Sequence, residues 1–523
     1  MKPRLSIAVG LLAVLAALLV LVLMTMQGAR PQSKSGVGSS TSLRTVTGTV
    51  RAHGSPLAGA RVRIKASEVS AVSDALGAFR LPVATSASNH LTARRDGYLI
   101  SGADTDGDDV HFDLKPLPHD DDTSYAWVDP RPDERTTGNC ANCHAEIYRE
   151  WSKGGHAHSA TGRYFRDLYG DETTHTNWNL LAENPDASGA CAACHAPTAT
   201  FKETLDLREV RGVAGQGVHC DYCHKVVDSG LEPIGLAHGR HGMQLLRPSE
   251  GQLFVGPLDD VDRGEDTYSP LYQDSKYCAS CHEGTVLGVH VYSTYSEWLV
   301  SPAAKKGQQC QSCHMKPTGT MTNIAPGHGG VERRPQTLGN HTFFADSKEA
   351  MLRECLDVAV GVQEFGLGPS IGVIVRLTAK NVGHRVPTGF SDRQLILVVE
   401  ALDGESRPVA PTKLTKLDVL SAAAGNDLEG KAGYIYAKLL HAPNSSEPVP
   451  FWMAGNVVKD TRLLPDKPEV YTCSFSGPVE TVKVSLIYRP FWQETARTKG
   501  WGNLDTILLE KIVPKKTFRP RDG

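Results

Sequence analysis

The sequence predicts a multidomain protein: an N-terminal transmembrane helix, a β-sandwich, a mainly helical and loop-rich domain dense in cysteine and histidine, and a C-terminal β-sandwich. Three observations carry this. An uncharged, mainly apolar run fills residues 5–26. Ten of the twelve cysteines fall between residues 139 and 345. Short alternating segments, separated by Gly, Pro and Asn/Asp turns, lie on either side of that stretch. At 523 residues the chain exceeds one ordinary domain. Its net charge of -3 argues against a general nucleic-acid or membrane-surface binder, so no nucleic-acid partner is expected.

Residues 1–29 read as a membrane anchor or signal. Lys2 and Arg4 precede Leu5–Met26, 22 residues, enough to span a bilayer at about 1.5 Å per residue. A cleaved signal has a shorter apolar core and small residues at its exit, whereas the exit here is "MTMQGAR". The anchor is the favoured reading. Positive charge before the run places the rest of the chain on the extracytoplasmic side, tethered to the inner membrane, or secreted if the segment is cleaved.

Residues 30–44 are a Ser/Gly-rich linker. Residues 45–117 alternate in short strands, from "TVTGTV" to "VHFDLKPL". The stretch resembles the carboxypeptidase regulatory-like (transthyretin-like) β-sandwich at Gly48, Pro56, Gly59, Ala60, Asp74, Gly77, Ala78, Phe79, Gly97 and Tyr98. That family implies a spacer or adhesion module and says little about chemistry. The acidic turn "DTDGDD" within it lacks the later glutamate of a calcium loop and reads as solvated. A Pro/Asp-rich linker follows at 118–138, then the cysteine-rich domain at 139–345, then a second β domain at 346–523.

The chemistry lies in one repeated motif, C-x-x-C-H. It occurs as Cys140, Cys143, His144; Cys191, Cys194, His195; Cys220, Cys223, His224; Cys278, Cys281, His282; and Cys310, Cys313, His314. A random chain of this composition would hold about 0.01 copies, and five are present. Two thiols at this spacing form thioethers to one haem, and the next histidine supplies the proximal imidazole. Structural zinc does not need a histidine after every pair, and a redox dithiol usually appears once. Five covalently bound haem c groups are therefore expected.

Six-coordinate irons need distal ligands. Candidates among the remaining histidines are His156, His341, His290, His238, His241 and His328, with His219, His158 and His175 less favoured and Met243 and Met315 as sulfur options. "CANCHAEIYREWSKGGHA" resembles the first haem segment of cytochromes related to the tetrahaem partner of hydroxylamine oxidoreductase. The resemblance covers about residues 139–345. It implies distal roles for His156, five residues after Trp151, and for His341. Five motifs in place of four mean that haem order does not carry over.

Beyond the motifs, "NVGHRVPTGFSDRQ" resembles a β-sandwich segment that follows the haem region in many bacterial multihaem cytochromes. There His384 and Arg385 are read either as contacts to a haem propionate or as a turn with surface charges. Cys355 and Cys473 lie outside the motifs, and a disulfide between them is open.

The function expected is electron relay between redox proteins, from a quinol dehydrogenase or cytochrome donor to a periplasmic acceptor. A reductase of a small nitrogen or sulfur oxyanion is the alternative and needs one open iron. No C-x-x-C-K motif is present to mark one. A haem-bearing filament is the third reading.

Overall fold

The computed structural model describes residues 42–85, 90–105, 107–170, 189–201, 210–230, 239–286, 289–343, 348–365, 369–412, 419–443, 445, 447–453 and 456–515. One expectation is corrected at once. Among these residues no helix is long and apolar enough to cross a membrane. The longest α-helices, Arg163–Gly170 and Lys348–Cys355, have eight residues, against the ~20 a bilayer requires. The run 5–26 lies outside the described residues.

The first described unit is a sandwich of two four-stranded sheets. In one, Leu43–Ala52 is central, antiparallel to Ala78–Ala84 and parallel to Asp109–Asp113. In the other, Arg61–Ile64 and His90–Arg94 pair between Ser70–Val72 and Ser101–Asp104. Alternation sends Val46, Val50, Phe79, Leu81 and Val110 inward to meet Val62 and Leu91. Two glycines are sterically required. A Cβ on Gly48 would stand 1.8 Å from the Val110 carbonyl, and Gly77 turns at φ +72 with the Val50 carbonyl 2.3 Å from its missing Cβ.

This sandwich grips the next region through charge. Asp259 and Asp260 face Arg63, and Lys65 and His90 bind Asp262, each His/Lys contact at 2.5 Å. Arg333 closes the patch on Asp260 at 2.7 Å.

The cysteine-rich region is corrected as well: it is not mainly helical. Its motif helices have four to seven residues. Between them run three two-stranded ladders, Val226–Ser229 with Met243–Leu245, Phe254–Gly256 with Asp266–Tyr268, and Glu283–Val286 with Val289–Ser293. A C-x-x-C pair needs only one helical turn to place both thiols on one face, and the Gly- and Pro-rich sequence between motifs extends nothing further.

The C-terminal unit packs a three-stranded sheet (Leu356–Phe365, Ser370–Ala379, Pro468–Ser476) on a six-stranded one centred on Gln394–Leu402 and Thr481–Arg489. Ile371, Val373 and Val375 meet Leu395, Leu397, Val484 and Leu486 in its core. Gln394–Leu402 reads "QLILVVEAL" because it is covered on both faces: Ile396 and Val398 pack behind it on Leu420 and Leu428. Cys355 is half-buried and Cys473 buried in the sheet, and no disulfide joins them. Cys473 pairs with Val373, which faces Val362, whereas Cys355 precedes Leu356 at the far end of that strand. Seven residues along and two strands across put them about 25 Å apart, beyond disulfide reach.

Candidate functional site

Each motif helix starts at or just before its first cysteine, so the two thiols stand at i and i+3 on one face and the histidine follows at the helix end. The histidines are then oriented by backbone from elsewhere. His144 Nδ1 donates to the Ile324 carbonyl at 2.8 Å, His195 Nδ1 to Ser159 at 3.1 Å, and His224 Nδ1 to Val255 at 2.7 Å. A carbonyl only accepts, so the proton is on Nδ1 and the lone pair is on Nε2. That is the tautomer an axial imidazole needs. Aromatic rings hold two of these imidazoles in place. Phe165 stacks on His195 at 4.1 Å, and Tyr272 lies over His224 at 5.6 Å.

All fifteen motif residues line one continuous cavity of approximately 1960 Å³. That is larger than an ordinary single-ligand site of ~300–1,000 Å³. Among the described residues no three His, Cys, Asp or Glu side chains converge as a metal-ion cage. The donors are instead spread along the wall as separate Cys–Cys–His sets, the arrangement that fits several covalently attached haems. Desolvation keeps the imidazoles neutral. It pushes His282 and His314 down to about 4, with neighbouring histidines adding to the effect, and it also lowers His144, His195 and His224.

The sets are contiguous. The Cys140 side chain lies beside that of Cys220, Cys194 beside Cys281, and Cys278 beside Cys310. Cys223 lies near Cys281 and Cys278. Tyr222, 1% exposed, sits among the second, third and fourth motifs with its hydroxyl on Met243 Sδ at 3.2 Å.

Two comparisons bear on this geometry. The family profile described as "Cytochrome c554 and c-prime" matches residues 139–225. A penta-haem cytochrome c552 from Thermochromatium tepidum shares the fold at TM-score 0.52 and 21% identity, over 72% of this chain and 97% of that one. The chain is thus similar to c-type cytochromes, one of them penta-haem, and its five Cys–Cys–His sets agree with that likeness. The chain also aligns with a cohesin–X-dockerin complex from Acetivibrio cellulolyticus at 20% identity, over 13% of this chain and 51% of that one, with a TM-score of only 0.12. No curated protein matches it.

The candidate distal histidines have different surroundings. His156 stands 6.3 Å from His282, ring centre to ring centre, with Phe343 edge-on at 4.4 Å. His341 faces His224, is pushed down to about 4 by burial, and donates Nδ1–H to the Gly339 carbonyl at 3.0 Å. Glu150 fixes that segment, accepting the His341 N–H at 2.9 Å and Asn340 Nδ2 at 2.8 Å. His328 is exposed at the cavity wall near His144. His290 is engaged elsewhere: its Nε2 meets Glu283 Oε1 at 2.5 Å. His241 is exposed in the short helix Gly239–Gly242, and His238 and His175 lie outside the described residues. His219 accepts the Tyr222 N–H on Nδ1 at 3.4 Å, and its buried Nε2 has no hydrogen-bond partner among the described residues.

One residue was missed. His384 of the C-terminal unit stands 6.2 Å from His314, ring centre to ring centre. From sequence, His384 reads only as a propionate contact or a surface turn. The available signal was a histidine between Gly383 and Pro387, in a segment too rich in turn residues to be strand interior.

Proposed function

We propose that this chain relays electrons outside the cytoplasm, taking them from a quinol-linked redox partner and passing them to a periplasmic acceptor. One observation carries the reading: the motif cysteines lie close together, first beside third, second beside fourth, fourth beside fifth, with Cys223 of the third near the fourth, all on one cavity wall. All five sites thus form one connected series. Haem c supplies, when bound, an iron that carries a single electron. The chain's part is to hold each imidazole in its Nε2-ligating tautomer, to keep it neutral by burial, and to exclude water from the apolar wall. Two imidazoles per iron favour low potential and a closed coordination sphere. Covalent c-type attachment supports an extracytoplasmic location.

The test is electron paramagnetic resonance of the oxidised protein with spin counting. Five low-spin irons are expected. A high-spin component integrating to one iron and responding to nitrite or hydroxylamine would replace the relay with a reductase.

A further inference from the structure

We infer that His384, carried by the C-terminal sandwich, is the distal axial ligand of the iron held by Cys310, Cys313 and His314. A metal–imidazole bond is about 2 Å, and the ring centre lies about 1 Å behind the ligating nitrogen, so trans imidazoles have centres about 6 Å apart. The His314–His384 separation is 6.2 Å, and the His156–His282 separation is 6.3 Å. His384 Nδ1 donates to the Arg385 carbonyl at 3.0 Å, leaving the lone pair on Nε2. This repeats the arrangement of His144, His195 and His224.

The loop is built to hold that position. Glu297, on the helix Thr294–Leu299 ahead of the fifth motif, accepts the Arg385 N–H at 3.2 Å and the Thr388 hydroxyl at 2.8 Å. Its other oxygen meets Arg462 at 2.7 Å, a pair nearly closed to solvent. Val386 exchanges both backbone hydrogen bonds with Leu463, at 3.0 and 2.9 Å. Gly383 comes so close to the motif side that a Cβ would meet Trp298 at 3.2 Å and Ala303 at 3.3 Å. One haem therefore takes its proximal ligand from the haem region and its distal ligand from the sandwich.

The inference rests on the haem reading of the motifs and not on the direction of electron flow. The full holo-protein carrying His384→Ala is first weighed by intact mass spectrometry. Loss of haem from the wild type itself would undo the underlying reading, separately from this one. With five haems retained, one iron of five should turn high-spin, and added imidazole should return it to low spin. An unchanged spin count overturns the assignment. His384→Met keeps a ligand in place and covers the case in which the alanine variant does not fold. It should stay low-spin, gain a sulfur–iron charge-transfer band and raise the potential of one haem. Five unchanged potentials with no such band overturn it equally.

Discussion

Lys225→Met tests how much the third motif depends on a buried ion pair. The Lys225 ammonium bonds the Asp221 carboxylate, and both side chains are 0% exposed. Asp221 sits between Cys220 and Cys223, and its second oxygen accepts the Val128 N–H at 2.7 Å. The ammonium also lies over the Phe254 ring at 4.2 Å. Methionine preserves length and apolar contact but strands the carboxylate with one backbone donor. Breaking a fully buried pair on one side costs about 3–5 kcal/mol. In a unit of this size each kcal/mol moves the melting temperature by about 2–4 °C, so a fall of roughly 6–20 °C is expected. The double change Asp221→Asn with Lys225→Met removes both charges and keeps an acceptor for Val128. It should recover most of that loss. The assay is thermal unfolding of the oxidised holo-protein at the Soret band, with haem content checked by mass. A single variant within about 1 kcal/mol of wild type, or a double variant no better than the single, would refute the reasoning.

Three further outcomes are expected. Asp392 is fully buried, and burial raises its carboxyl to about 7. Its stabilising protonated form is complete below about pH 4 and is lost as pH rises through 7, so Asp392→Asn should match wild type at pH 4 and exceed it at pH 8 by up to about 4 kcal/mol in denaturant titration; equal differences at both pH values would contradict this. His156→Ala should make one iron high-spin by electron paramagnetic resonance, and an unaltered spectrum would remove His156 as a ligand. Alkylation of the denatured, non-reduced holo-protein should label two thiols, Cys355 and Cys473, and an unlabelled pair would mean a disulfide after all.

The motifs were legible because their chemistry is covalent and local: five residues specify a thioether pair and its imidazole whatever surrounds them. The N-terminal sandwich was legible because alternation and two forced glycines, Gly48 and Gly77, are local as well. Distal ligation is long-range. Nothing near residue 384 refers to residue 314, and the pairing arises only when the Gly383 loop docks on Trp298. His290 looked equally available in sequence, yet a hairpin turns it onto Glu283. The helical reading of residues 139–345 failed because C-x-x-C-H announces a helix without giving its length, and here that length is one or two turns.

The backbone carbonyls that aim the imidazoles also tie distant parts of the chain to each site. His195 is aimed by Ser159, which is synthesised before it, and His224 by Val255, 31 residues later. His144 waits for Ile324, 180 residues downstream. The first site in the sequence is therefore the one of these three whose imidazole is aimed from farthest along the chain. A chain truncated before Ile324 would carry its first haem on a histidine that nothing yet steers.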